Sequence, residues 1–308
     1  MDVISKGESN SISFVCPECR SDLSSTGTRG TRDQYVCERC SSEFNTQDGI
    51  LVLLPKAVPK PSLEDIRAWD EIDSGRIEHM VGWRALLAKE GQIRHLDKLL
   101  ETRNWEGLDV LEIGGGLCWG SLIVKSKYPM SRVVSTDIAS SALEKAKKVA
   151  EVLELNADQY LAVDVHRLPF PDDSFDIVFG SEMLHHLADP IAALREIHRV
   201  IRPGGRYLGI GEGAASRPMQ FIMERTGLHR RMGGHEATKY DMKEALYSFG
   251  KWQNMFEESG FKSVVITSTT DPTIQYQSKL RLYYYCVLNL LPGPMHRILG
   301  CAITVEAS

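Results

Sequence analysis

Val110-Leu111-Glu112-Ile113-Gly114-Gly115-Gly116-Leu117 is a short apolar run that carries one acid and then breaks into three consecutive glycines. The run predicts a buried strand, Asp109 to Ile113, and the glycines a turn at its carboxyl end. Backbone without Cβ there lets a ligand approach closely. Dinucleotide-binding proteins use similar turns, so the glycines alone do not name a ligand. Further strands are predicted at Arg132 to Thr136, Tyr160 to Val163, Phe175 to Phe179 and Arg206 to Gly211. Helices fall between them, at Ser141 to Leu153 and within Met183 to Val200. Strands separated by helices imply a parallel sheet with right-handed crossovers. The expected class is α/β: a Rossmann-like, mostly parallel sheet with helices on both faces.

Two carboxylates sharpen this reading. Asp137 ends the second strand, 21 residues past Gly116. A carboxylate there can accept both hydroxyls of a ribose. Asp164 ends the third strand, in a position that suits the exocyclic amine of an adenine.

Upstream lies a different signal. Cys16-Pro-Glu-Cys19 is followed, after seventeen residues, by Cys37-Glu-Arg-Cys40. Two such knuckles can bring four thiolates into the tetrahedron zinc prefers. Four cysteine ligands leave no open position for water or substrate, so the expected zinc is structural. A small N-terminal zinc ribbon is therefore expected, ending in an apolar strand, Gly49 to Leu54. Pro55, Pro59 and Pro61 then mark a stiff linker. Ser62 reads as an N-cap with Asp65 three residues on. A helical zone follows, in which Leu86, Ile93, Leu96, Leu99 and Leu100 recur at helical spacing. Residues 1–60 are thus assigned to ribbon and linker, 61–107 to a helical cap, and 108–308 to the main α/β domain. Lid insertions are expected near 212–250 and 275–299.

In combination the motifs resemble the class I S-adenosylmethionine-dependent methyltransferases. The resemblance covers about Leu108 to Gly211, with a weaker tail to Ser308. It rests on the Glu112 to Gly116 loop, Asp137, Val163-Asp164-Val165 and Leu168-Pro169-Phe170-Pro171-Asp172-Asp173-Ser174-Phe175-Asp176. Leu184-His185-His186-Leu187 and Arg199-Val200-Ile201-Arg202-Pro203-Gly204-Gly205 complete the set. The resemblance implies S-adenosylmethionine as cofactor. Gly114 and Gly116 would lie under its methionine part, with Glu112 ordering the loop. Asp137 would hold the ribose, Asp164 and the Val165 backbone the adenine, and Ser181 would lie beside the sulfonium. The chain departs from the usual small residues at Leu117-Cys118-Trp119. Asp176 is expected to orient its own strand.

Methyl transfer asks little of the protein beyond alignment and exclusion of water. A base matters only for an acceptor that must lose a proton, and His186 is a candidate. His235 and Glu236 are further catalytic candidates in the insertion Glu212 to Gly250. Spacing among His185, His186, His235 and Glu236 shows no metal-ligand motif.

Composition bounds the partners. The chain has 308 residues, 43% hydrophobic, with a net charge of −5. No apolar run reaches the ~20 residues of a transmembrane helix. Met1 to Asn10 lacks an apolar core of a leader, so a cytoplasmic protein is expected. Cys118, Cys286 and Cys301 are expected as reduced thiols in apolar settings.

A small, partly apolar acceptor is the favoured substrate. One alternative is methylation of an rRNA base, with the ribbon aiding recognition; another is an inactive scaffold whose ribbon binds a partner. Residues 1–60 hold seven Lys/Arg against eight Asp/Glu, which argues against strong attraction to phosphates. From Arg195 to Arg231, however, eight Arg face three acids. A helix from Tyr276 to Leu291, with an apolar stripe at Tyr276, Leu280, Tyr284, Val287 and Leu291, is expected as lid, core element or homodimer face. Trp69, Trp83, Tyr283 and Tyr284 are expected to line the acceptor pocket.

Overall fold

The computed structural model describes residues 12–25, 34–71, 94–227, 245–269 and 279–308. Its strands form one eleven-stranded sheet in the order β1-β2-β3-β4-β7-β6-β5-β8-β9-β11-β10. At its centre lie β5 (Asp109–Glu112), β6 (Arg132–Asp137), β7 (Gln159–Val163), β8 (Phe175–Ser181) and β9 (Ile201–Ala214), all parallel. β11 (Cys301–Ala307) pairs antiparallel with β9, and β10 (Val264–Thr269) pairs antiparallel with β11 at the edge. These central strands are near-continuous apolar runs because helices cover both faces.

Helix α1 spans Lys60–Glu71, and residues 94–101 are also helical. Crossover helices follow: α2 (Trp119–Lys127), α3 (Ser140–Val152) and α4 (Pro190–Val200). The last four are α5 (Arg217–Thr226), α6 (Phe249–Glu258), α7 (Lys279–Asn289) and α8 (Gly293–Leu299). α4 starts cleanly: the Asp189 carboxylate accepts from the Ala192 N–H, and Pro190 sits in the first turn. Its buried face, Ala193, Leu194, Ile197 and Val200, recurs at helical spacing.

The four-cysteine segment is joined to this sheet. β1 (Ser24–Ser25), β2 (Gln34–Val36), β3 (Glu43–Gln47) and β4 (Ile50–Leu53) run antiparallel to one another. β4 then pairs in parallel with β7, Leu51 to Leu161 and Leu53 to Val163. Phe14 stacks edge-on against Tyr35 and packs on Phe170 of the central domain. Arg20 pairs with Glu196 and donates to the Leu168 carbonyl.

Several expectations change. Ser62 is buried within α1 rather than capping it, because the helix starts two residues earlier at Lys60. β9 begins at Ile201, ahead of Pro203-Gly204-Gly205, and absorbs the turn as a shift of register against β8. Glu212 to Ala214, expected in the insertion, complete this strand. α7 buries Tyr285 and Leu288, while Leu280 and Val287 of the expected stripe are exposed. The Tyr285 hydroxyl fixes that rotation by accepting from the Ala302 N–H at 2.8 Å. Cys118 and Cys301 are buried as expected, but Cys286, on the outer face of α7, is exposed.

Candidate active site

A cavity of about 330 Å³ opens at the carboxyl ends of β5 to β8. The glycine turn forms its floor. Gly114 and Gly116 have φ of 58° and 52°, the left-handed region that disfavours other residues. A Cβ on Gly114 would lie 2.2 Å from Met183 Cγ. The Gly115 N–H donates to the Thr136 carbonyl at 2.9 Å, tying the turn to β6. Cys118 follows with φ 55° and no exposure, its amide donating to the Gly115 carbonyl. The unusual Leu117-Cys118-Trp119 segment thus tightens the turn just before α2.

Glu112 stands beneath this turn, buried, and its carboxylate accepts from the Ser121 N–H and hydroxyl. Burial pushes its pKa up to about 7 against those hydrogen bonds, and the nearby Asp137 charge adds to the rise. A Cβ on Gly120 would come within 2.6 Å of the same carboxylate. Close approach of α2 to β5 therefore requires glycine there.

Asp137 is also buried, and both of its oxygens are engaged. Oδ2 accepts from the Gly116 N–H at 2.8 Å and Oδ1 from the Ala139 N–H at 2.9 Å. Burial raises its pKa despite these bonds. Asp137 thus holds the glycine turn in place as well as lining the cavity. Asp164 Oδ1 accepts from the His166 N–H at 2.9 Å and lies 2.7 Å from His166 Nδ1. Burial opposes its charge, but the His166 bonds outweigh burial and hold its pKa down. Val165, His166 and Ser181 line the same cavity. Ser181 Oγ and His166 Nε2 are buried without a hydrogen-bond partner. Such orphaned polar atoms fit a polar ligand or water at this site.

Sequence reasoning missed Glu212. This fully buried carboxylate on β9 accepts from the amides of Met183, Leu184 and His185, and lies 2.7 Å from His185 Nδ1. Burial alone would raise its pKa, but His185 and the amides bring it below the ordinary value. Glu212 therefore fixes the turn Leu184–His186, whose His186 lines the cavity. A lone acid within the apolar run Leu208 to Ala214 was the available signal. Asp176, expected to orient its own strand, instead ties β8 to its two neighbours: it accepts from the Asp109 N–H of β5 and from Arg202 of β9.

His235 and Glu236 lie outside the described residues, as do Trp83 and the side chain of Trp69. The aromatic lining expected from Tyr283 and Tyr284 is not observed. Tyr283 is 69% exposed, and the Tyr284 hydroxyl donates to the carbonyls of Leu299 and Gly300. Ser62 of α1 and Leu96 of the 94–101 helix do reach the cavity.

Away from this cavity, the sulfur atoms of Cys16, Cys19, Cys37 and Cys40 lie within 4.8 Å of one another. Hydrogen bonds from Ser42 pull the Cys40 thiol down to about 6, while burial pushes Cys16 up to about 12. All four are free of disulfides. Among the described residues, no helix is long and apolar enough to cross a membrane.

Comparison with known proteins is consistent with this geometry. Residues 111–221 match the family model described as a methyltransferase domain. The malonyl-[acyl-carrier protein] O-methyltransferase of Halorhodospira halophila is 32% identical over 40% of this chain and 41% of its own length. The ubiquinone/menaquinone biosynthesis C-methyltransferase of Shewanella is 33% identical over 39% of this chain and 47% of its own. The first curated relatives are matched over 31% to 66% of their length. A solved complex of the Haloferax volcanii Trm112 methyltransferase activator with a methyltransferase matches in fold, with a TM-score of 0.51 and 18% identity. That likeness covers 82% of this chain and 99% of the matched one. The matches support a methyltransferase and leave the acceptor open.

Proposed function

We propose that this protein transfers a methyl group from S-adenosylmethionine to a small, partly apolar acceptor. The observation that carries the reading is convergence. The glycine turn, Asp137, Asp164 and the orphaned Ser181 hydroxyl meet at one cavity. When bound, the cofactor supplies an electrophilic methyl carbon on a sulfonium. Gly114 and Gly116 would lie under its methionine part, Asp137 would accept from the ribose, and Asp164 with the Val165 backbone would meet the adenine. Ser181 would face the sulfonium.

The remaining work of the chain is to position the acceptor and exclude water. Leu96, Ile123 and Leu187 give the cavity apolar walls. Glu212 holds the turn carrying His186, the candidate base among the described residues for an acceptor that must lose a proton. His235 and Glu236 remain candidates from the sequence. The four cysteines suit a tetrahedral zinc that orders the N-terminal strands.

The rRNA reading draws on the arginine-rich stretch and is weakened by the pairing of four of its eight arginines. Arg195 faces Glu258, Arg199 faces Glu196 and Asp172, Arg202 faces Asp109 and Asp176, and Arg206 faces Glu306. Arginines already matched to carboxylates attract phosphates poorly. The inactive-scaffold reading is weakened by the completeness of the glycine turn and its two acids.

The test combines calorimetry with a methyl-transfer screen. S-adenosylmethionine should bind and NAD should not. Extracted small metabolites should be labelled, with little change between two ionic strengths. Salt-sensitive labelling of RNA alone would establish the rRNA reading instead. Absence of cofactor binding would leave the scaffold.

A further inference from the structure

α7 carries two apolar faces. Tyr285 and Leu288 point into the core. Leu280, Tyr283, Val287 and Leu290 recur at intervals of three, four and three residues and are exposed, Leu290 by 84%. A helix apolar on both sides is normally covered on both sides. Two further helices at this corner also expose apolar side chains: Phe221 and Ile222 on α5, and Met295 and Ile298 on α8. α5 and α8 are tied together where the Ser216 hydroxyl donates to the Ile298 carbonyl.

Charge around the patch runs against the rest of the chain. The sequences of α5 (217–226) and of the 279–299 segment hold five cations, Arg217, Arg225, Lys279, Arg281 and Arg297, and one acid, Glu224. The whole chain carries −5. Arg217, Arg225 and Arg297 are exposed. A second copy would bring these three exposed arginines against their own kind, which disfavours self-association. An anionic lipid surface meets both features, since apolar side chains enter the acyl boundary and cations meet the headgroups.

The patch also lies at the cavity end of the sheet. β9 runs parallel to β8, and α5 starts three residues beyond its carboxyl end at Ala214. α8 ends just before Cys301, which pairs with Ala214. Tyr284 and Tyr285 fix α7 to that same corner.

From this placement we infer that the face formed by α5, α7 and α8 docks on anionic lipid bilayers and turns the cavity end toward the membrane. Resting on the methyl-transfer reading, the substrate class becomes a bilayer-dissolved acceptor with a nucleophilic head and a long apolar tail.

Co-sedimentation with phosphatidylcholine vesicles, with and without phosphatidylglycerol, tests this. The full chain should partition to the phosphatidylglycerol vesicles and be released by salt. Tyr283→Glu/Leu290→Glu should lower that partitioning roughly tenfold or more, with the thermal midpoint and calorimetric S-adenosylmethionine affinity unchanged. Tyr283→Ser/Leu290→Ser guards against misfolding of the charged variant and should lose less. Arg217→Gln/Arg225→Gln should weaken the preference for phosphatidylglycerol. No partitioning, or equal partitioning of wild type and variants, overturns docking even if the cofactor binds. A wild-type dimer that the Glu variant splits, with no lipid binding, assigns the face to a second copy. Vesicle binding without cofactor binding keeps the docking and removes the methyl-transfer reading.

Discussion

The carboxylates of the cavity do more structural work than their strand-end positions suggest. Asp137 was legible as a strand-end acid at the cavity, and so as a candidate ribose ligand, because strand, turn and acid fall in a local pattern. That its two oxygens also hold the Gly116 and Ala139 amides was not legible, since those bonds depend on how the turn folds back over β6. Asp137→Ala should therefore weaken S-adenosylmethionine binding by ~1–3 kcal/mol and also lower stability by a similar amount. Asp137→Asn, which keeps one acceptor oxygen, should be milder on both counts; calorimetry and denaturant melts separate the two effects. Glu112 makes a pH prediction. Its folded pKa, about 7, exceeds the ordinary value of 4.5, so between these limits the folded state holds more protons than the unfolded one. Stability should fall as pH rises from 4.5 to 7, by on the order of 3 kcal/mol from this group. Glu112→Gln should flatten that slope in urea melts across the window. A slope identical to wild type would show that Glu112 ionises in the native state much as it does when unfolded. Glu212 escaped the sequence because its partners, the 183–185 amides, lie nearly thirty residues away.

Element by element, legibility followed burial. Strands covered on both faces read directly, because their apolar runs admit few alternatives, and β5 to β8 fall within two residues of their expected bounds. α7 misled because it is apolar nearly all round, so its sequence does not say which face turns inward. The Tyr285 hydroxyl, bonded to the Ala302 amide, makes that choice. α8 went unread because Pro292-Gly293-Pro294 looks like a loop, although proline is well placed in a first helical turn. The glycine turn gives the sharpest test at this scale. Gly114→Ala places a Cβ against Met183 and forces an alanine to φ near 58°. We expect a loss of ~1–2 kcal/mol of stability and at least tenfold weaker cofactor binding. Adding Met183→Ala should recover part of the stability by removing the clash while leaving the backbone strain. If the single variant melts and binds like wild type, the turn is not held in the left-handed conformation.

Across the whole molecule, the clustering of the four cysteines was legible from their spacing, but the attachment of their strands was not. Pairing of β4 with β7 depends on two segments far apart in sequence, and neither announces the other. This pairing ends at Val163, one residue before Asp164. Arg20 further ties the cysteine segment to α4 through Glu196, and Arg167, in the loop after β7, pairs with Glu18. If zinc orders that segment, elemental analysis should find about one zinc per chain. A strong chelator, or Cys37→Ser, should then lower both the thermal midpoint and the affinity for S-adenosylmethionine. Metal-free protein with an unchanged midpoint and affinity would show the strands to be held without it. The same pairing sets an order of events during synthesis. Leu51 meets Leu161, which emerges from the ribosome 110 residues later. At roughly 5–20 residues per second, the cysteine segment waits on the order of ten seconds with the edge of β4 unpaired. Metal capture in that interval would give the nascent chain its first ordered unit, a ready template onto which β7 and then the rest of the parallel sheet can add.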